Sequence, residues 1–317
     1  MRPELRSVVA AYAARFAAES IEAAVDDWIH HRLSGEPELL TRSRHAYVHH
    51  HLARALAALA LLPASRDGQR LLELGSGLYL MSFLAERLLG YRLELVQYWG
   101  RPSGRYRSRL VDDRDGSERS LEFCEFNAEE EAFPYADGSF DAILNCDTVE
   151  HMLRDPVRML AGCHRVLKPG GAMVVTTPNV LRLDNVARLI EGTNIHDKYV
   201  RESASARHPR EYAPGELQRL LEWTGFEVEH IETCDVTPAS AGRMPRALAR
   251  GALAVARAAT RLSGRDGGVP LRWRGEQIVA RARRAGAPRL DAPEFLYEAP
   301  ADADRLIAAL YGGGPVA

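Results

Sequence analysis

Leu71-Leu72-Glu73-Leu74-Gly75-Ser76-Gly77 is an apolar run with a carboxylate near its end, closed by two glycines. The run has the length of a buried strand, and the glycines mark a turn that opens into a helix. Gly75 and Gly77 lack a Cβ, so the backbone can turn sharply there and approach a ligand closely. Downstream, Phe140-Asp141-Ala142-Ile143-Leu144-Asn145 forms a second apolar run, and Leu167-Lys168-Pro169-Gly170-Gly171 feeds a third. From Arg70 to Thr233 short apolar runs alternate with helical stretches, the pattern of a parallel sheet covered by helices. The expected strands are Leu71–Leu74, Leu93–Tyr98, Leu121–Asn127, Phe140–Asn145, Ala172–Thr177 and Phe226–Thr233. A last strand, Glu276–Ala282, would turn back beside the sixth.

Before this core, residues 4–33 are rich in Ala, Leu, Glu and Arg, which favours helix. Ser34-Gly35-Glu36-Pro37 breaks the segment, and a second helix is expected from Ser43 to Leu62, closed by Pro63. The division expected is a helical extension over 1–65, a main domain over 66–298 and a tail over 299–317. Within the main domain, about 236–274 reads as an insertion. Residues 243–284 carry eleven Arg against Asp266 and Glu276, and 243–262 has the pattern of a basic amphipathic helix. Such a helix either lies on an anionic membrane or acidic partner, or presents a solvated face.

The 317 residues are enough to bury a sizeable core. A formal net charge of −2 is not that of a chain built to neutralise a phosphate backbone, so no nucleic-acid partner is expected. Cys124, Cys146, Cys163 and Cys234 form no Cys-x-x-Cys pair and read as reduced thiols. Arg2, Glu4, Arg6, Arg15 and Glu19 interrupt the first apolar runs, so no export signal is expected and the expected location is the cytoplasm. His30, His31, His45 and His49–His51 invite a metal reading, His45 and His49 being one helical turn apart, but no nearby Asp or Glu completes a ligand set at convincing spacing, and no metal is expected.

The three glycine-bearing and apolar segments, in this order and spacing, resemble the class I S-adenosylmethionine-dependent methyltransferases. The resemblance covers residues 66–235 and extends toward Tyr297. It implies an α/β, Rossmann-like sheet of seven mostly parallel strands with an antiparallel last strand, helices on both faces, and S-adenosyl-L-methionine as cofactor. The antiparallel strand, and Leu80 where a dinucleotide fingerprint needs its third glycine, separate the pattern from NAD-dependent dehydrogenases.

In this family the Gly75-Ser76-Gly77 loop would carry the methionine end of the cofactor, with Glu73 orienting its ammonium. Two positions depart from the pattern. Tyr79 stands at a usual glycine, and Gln97 ends the second strand in place of an acid that grips both ribose hydroxyls. Gln97 would accept one ribose hydrogen bond, or Tyr98 would pack on the adenosine. Asn127 and Ala128 would meet the adenine edge, with Cys146 and Asp147 completing the cofactor set. A Gly-Ser-Gly-x-Tyr-Leu turn followed by a tyrosine-bearing second strand also resembles a subgroup encoded beside glycosyltransferases for surface polysaccharides.

Methyl transfer needs an aligned nucleophile and a place for its proton. His151, just past the fourth strand, is the first candidate base, because imidazole exchanges protons near neutrality; a structural role explains it nearly as well. Asn194-Ile195-His196-Asp197 and His208-Pro209-Arg210-Glu211-Tyr212 would wall the acceptor pocket, adding His196 and His208 as further candidate bases. The reaction expected is O-methylation of a small polar acceptor such as a sugar or glycan intermediate. The alternatives are C- or N-methylation of a quinone or secondary metabolite, or a partner protein of this fold that binds the cofactor weakly.

Overall fold

The computed structural model describes residues 3–34, 38–198, 207–236, 248, 250–255, 258 and 271–297. Strand β1 (His31–Leu33) is followed by β2 (Arg70–Leu74), β3 (Arg92–Gln97), β4 (Gly104–Asp112) and β5 (Glu118–Glu125). Then come β6 (Phe140–Cys146), β7 (Leu167–Pro178), β8 (Phe226–Cys234) and β9 (Gln277–Arg284). They make one sheet in the order β1-β4-β5-β3-β2-β6-β7-β9-β8. The run β5-β3-β2-β6-β7 is parallel, and β9 lies antiparallel between β7 and β8.

The seven expected strands are all present, and two more extend the edge. β4 pairs antiparallel with β5, and β1 pairs antiparallel with β4. β4 reads Gly-Arg-Tyr-Arg-Ser-Arg-Leu-Val-Asp, and its arginines point outward. Arg107 faces Glu122 across the pair and bonds it, and Arg109, opposite Ser120, reaches diagonally to bond Glu118. A row of charges on a strand near a sheet edge discourages pairing with other chains, and here it hides the strand from an apolar-run reading.

Alternation along the inner strands feeds two cores. Leu71 faces one and Leu72 the other; so do Leu144 and Ile143, and Val174 and Val175. On the first face lie α1 (Pro3–Ala11), α2 (Ala18–His30), α3 (Glu38–Ala60) and α4 (Leu80–Leu89). α3 buries Val48, Leu52, Leu56 and Leu59 there, a stripe at helical spacing. On the second face α5 (Pro156–Val166) buries Met159, Leu160 and Cys163, and α7 (Pro214–Trp223) buries Leu217, Leu220 and Leu221. The short α6 (Leu183–Ile190) packs separately through Leu183 and Ala187. The first three helices thus share a core with the sheet.

Most of the 243–262 segment and all of 299–317 lie outside the described residues. Four arginines of the basic stretch are taken up within the fold. Arg281 and Arg283 pair with Glu229 and Glu227, while Arg274 and Arg284 bond backbone carbonyls. No described helix is long and apolar enough to cross a membrane.

Candidate active site

The turn after β2 is set by two left-handed glycines, Gly75 at φ 70° and Gly77 at φ 48°. The Gly75 and Ser76 amides donate to the Val96 carbonyl at 2.9 and 3.1 Å, tying the turn to β3. Above it sits Thr148, whose hydroxyl donates to the carbonyls of Leu74 and Cys146, both at 3.1 Å. A Cβ at position 75 would lie 2.4 Å from Thr148 Oγ1. Gly75 is therefore required by the approach of the β6 loop as well as by its φ. At Gly77 an added Cβ would meet only the Gly75 carbonyl, at 3.6 Å.

A cavity of about 470 Å³ opens at the C-terminal ends of β2, β3, β5 and β6. Ligands of open α/β sheets bind at this edge, and the volume suits a small-molecule site. Of the residues expected from sequence, Gly75, Gly77, Gln97 and Tyr98 line one side, and Asn127, Ala128, Asp147 and His151 the other. Trp99, Thr148, Met152 and Leu153 line it too and were not expected. Tyr98, Trp99 and Leu153 are 50%, 61% and 63% exposed and form an apolar rim. Its backbone is held from below, where buried Glu125 accepts from the amides of Trp99 and Arg101 at 2.8 and 2.9 Å.

Glu73, Ser76, Tyr79 and Cys146 stand behind the cavity wall rather than on it. Glu73 turns toward α4, where Ser82 Oγ donates to it at 2.6 Å. Burial raises its pKa to about 8, so with Ser82 as its hydrogen-bond partner the carboxyl is largely protonated near neutrality. Burial also pushes the Cys146 thiol up to about 12. Ser76 Oγ donates to the Val96 carbonyl.

Asp147 is a non-glycine residue at φ 47°, a conformation that needs support from its surroundings. Thr176 of β7 donates to its carboxylate at 3.0 Å, Gln277 of β9 donates as well, and Arg54 of α3 pairs with it. α3 thereby reaches the cavity wall. Arg54 lies in an Ala/Leu-rich helix with no motif around it, and only the tertiary contact shows its part. Asn127 uses its side-chain oxygen to accept from the Glu129 amide at 3.0 Å, which shapes the turn after β5 and leaves a second lone pair on that oxygen.

His151 ends the short 3-10 turn Val149–His151. Its Nδ1 lies 3.2 Å from the Arg207 carbonyl, which can only accept. The neutral ring therefore carries its proton on Nδ1 and its lone pair on Nε2. His208 stacks edge-on against it with centroids 4.9 Å apart. Glu150 is fully buried behind the pair, its Oε2 accepting from Thr177 Oγ1, and burial raises its pKa to about 7. Glu211 pairs with His208 and Arg182; although burial opposes it, those contacts hold its pKa down to about 2. His208 and His196 line a separate cavity of about 350 Å³ with Arg210, next to the main one. Of the three candidate bases, only His151 faces the main cavity.

Residues 72–175 match the family model described as a methyltransferase domain. Over these residues the chain carries a class I S-adenosylmethionine-dependent methyltransferase domain. A probable S-adenosylmethionine-dependent methyltransferase of Mycolicibacterium smegmatis is 30% identical over 188 residues, 59% of each chain. A ubiquinone biosynthesis O-methyltransferase of Cereibacter sphaeroides is 32% identical over 117 residues, 37% of this chain and 44% of that one. The chain spans about half the length of these curated relatives. Among solved structures, a SAM-dependent methyltransferase from Thermotoga maritima superposes with a TM-score of 0.45 at 19% identity, covering 78% of this chain and 97% of that one. The methyltransferase domain implies S-adenosyl-L-methionine as cofactor. The cavity fits it: a glycine turn leaves space at Gly77, with polar acceptors at Gln97 and Asn127.

Proposed function

We propose that the protein O-methylates a small polar acceptor, with a sugar or glycan intermediate as the substrate class. The observation that carries this reading is His151, which lines the same cavity as the glycine turn with its Nε2 lone pair fixed by the Arg207 carbonyl. Gly77, Gln97 and Asn127 would hold the cofactor, whose sulfonium supplies an activated methyl group when bound. His151 takes the proton of the acceptor hydroxyl on Nε2, and buried Glu150 with half-buried His208 supports the charge that forms. Tyr98, Trp99 and Leu153 shield the cavity from water. The polar neighbouring cavity at His196, His208 and Arg210 offers hydrogen-bond donors to acceptor hydroxyls or phosphate, as the polysaccharide-associated resemblance suggests.

A phenolic or quinone-derived acceptor is the second reading. It is favoured by the apolar rim and by the Cereibacter relative, whose name places it in ubiquinone biosynthesis. Transfer of labelled methyl from S-adenosylmethionine to sugar nucleotides and to catechols, assayed side by side, separates the two. Label on the sugar supports the first; label on the catechol alone replaces it with the second. The Arg-rich 243–262 segment is proposed to contact an anionic membrane surface or acidic partner.

A further inference from the structure

The two departures from the family pattern, Tyr79 and Gln97, touch each other. Tyr79 holds φ 63° as the residue before α4, its ring is buried in the first core, and its hydroxyl accepts from Gln97 Nε2 at 3.0 Å. A left-handed backbone at a bulky residue is uncommon and costs energy, so the position is kept by its contacts rather than by local preference. Gln97 ends β3, is 6% exposed and lines the cavity. A carboxamide is asymmetric: one end donates and the other accepts. With Nε2 committed to Tyr79, Oε1 is the end left to accept hydrogen bonds. Burial pushes the Tyr79 pKa up to about 12, so the hydroxyl stays neutral and keeps both roles of a hydrogen-bonding phenol.

We propose that Tyr79 and Gln97 act as one ribose-binding unit, with the Tyr79 hydroxyl fixing the Gln97 carboxamide so that its oxygen accepts a ribose hydroxyl of the cofactor. The proposal rests on the reading that this cavity takes S-adenosylmethionine. Gln97 is the binding residue and Tyr79 a positioning residue acting through it. A buried amide at this strand end carries no charge, so it adds no repulsion beside Glu125, which Tyr79 already senses. The departures from the family pattern are on this view a single exchange: a carboxylate that needs no orienting partner gives way to an amide that does. A glycine at position 79 could not supply that partner.

The experiment is a double-mutant cycle read by calorimetry with S-adenosylhomocysteine and its 2′-deoxy and 3′-deoxy analogues. The proteins are wild type, Tyr79→Phe, Gln97→Ala and the double variant, each checked by thermal unfolding. Tyr79→Phe removes one oxygen and keeps the ring in the core. Each single change is expected to weaken S-adenosylhomocysteine by about 3- to 10-fold. The double variant is expected to be no weaker than Gln97→Ala alone. Wild type should lose a similar factor on one of the two deoxy analogues, and the variants should lose nothing further on that analogue. Tyr79→Phe binding as wild type, losses that multiply in the double variant, or variants that still discriminate the deoxy analogues as wild type does would each overturn the proposal. Wild type that fails to bind S-adenosylhomocysteine at all would instead overturn the reading on which the proposal rests.

Discussion

Replacing Glu73 by Gln should change how stability depends on pH, in a direction set by its burial. The carboxyl is 3% exposed, has one hydrogen bond from Ser82, and its pKa is raised from 4.5 to about 8. Between these values the folded chain holds a proton that the unfolded chain has released. Stability from this group is therefore fully present below about pH 4.5 and is lost as pH rises toward about pH 8. From about pH 5 to about pH 7.5 the loss integrates to about 3 kcal/mol. Glu73→Gln keeps an acceptor for Ser82 and has nothing to ionise, so it should lack this component. Urea unfolding of both proteins at the two pH values measures it, and the difference between proteins cancels every other titrating group. The variant should gain on the wild type by about 3 kcal/mol over that range. Parallel pH profiles would refute the reasoning and show that Glu73 is already ionised, or solvated, in the folded chain.

Three further perturbations bear on the site. Gly75→Ala should cost about 2 kcal/mol or more in urea unfolding, from φ 70° and the contact with Thr148, and less in a Thr148→Ala background; equal losses in both would contradict the contact. Arg54→Met should destabilise by about 1–3 kcal/mol and weaken S-adenosylhomocysteine binding, because Asp147 loses its cation while keeping a strained backbone at the cavity wall. His151→Ala should lower kcat by about 10²–10⁴-fold while S-adenosylhomocysteine affinity hardly moves; full activity would assign the proton to another group.

The parallel core was legible because each inner strand is a short apolar run whose alternate residues both meet a helix layer, as Leu71 and Leu72 do. The turn at Gly75 and Gly77, and the cavity residues at the ends of β3, β5 and β6, followed from that order. β4 escaped because its pattern is arginine alternating with half-buried residues, and what holds it is its backbone ladder with β5 and the burial of Leu110 rather than an apolar stretch. The protonated state of Glu73 is a product of burial, which a motif does not record. Arg54 meeting Asp147, His208 meeting His151, and Tyr79 meeting Gln97 are contacts between residues distant in sequence, and none has a spacing that announces it.

The cavity bounded by Gly77, Gln97, Asn127 and His151 is proposed as the site for S-adenosylmethionine. Calorimetric titration of the full chain with S-adenosylhomocysteine, followed in parallel by the fluorescence of the rim residue Trp99, tests it most directly. The expected result is saturable binding of one equivalent, accompanied by a fluorescence change that a Trp99→Phe variant lacks. No heat at millimolar ligand, or saturable binding of reduced nicotinamide dinucleotide in its place, would contradict the account.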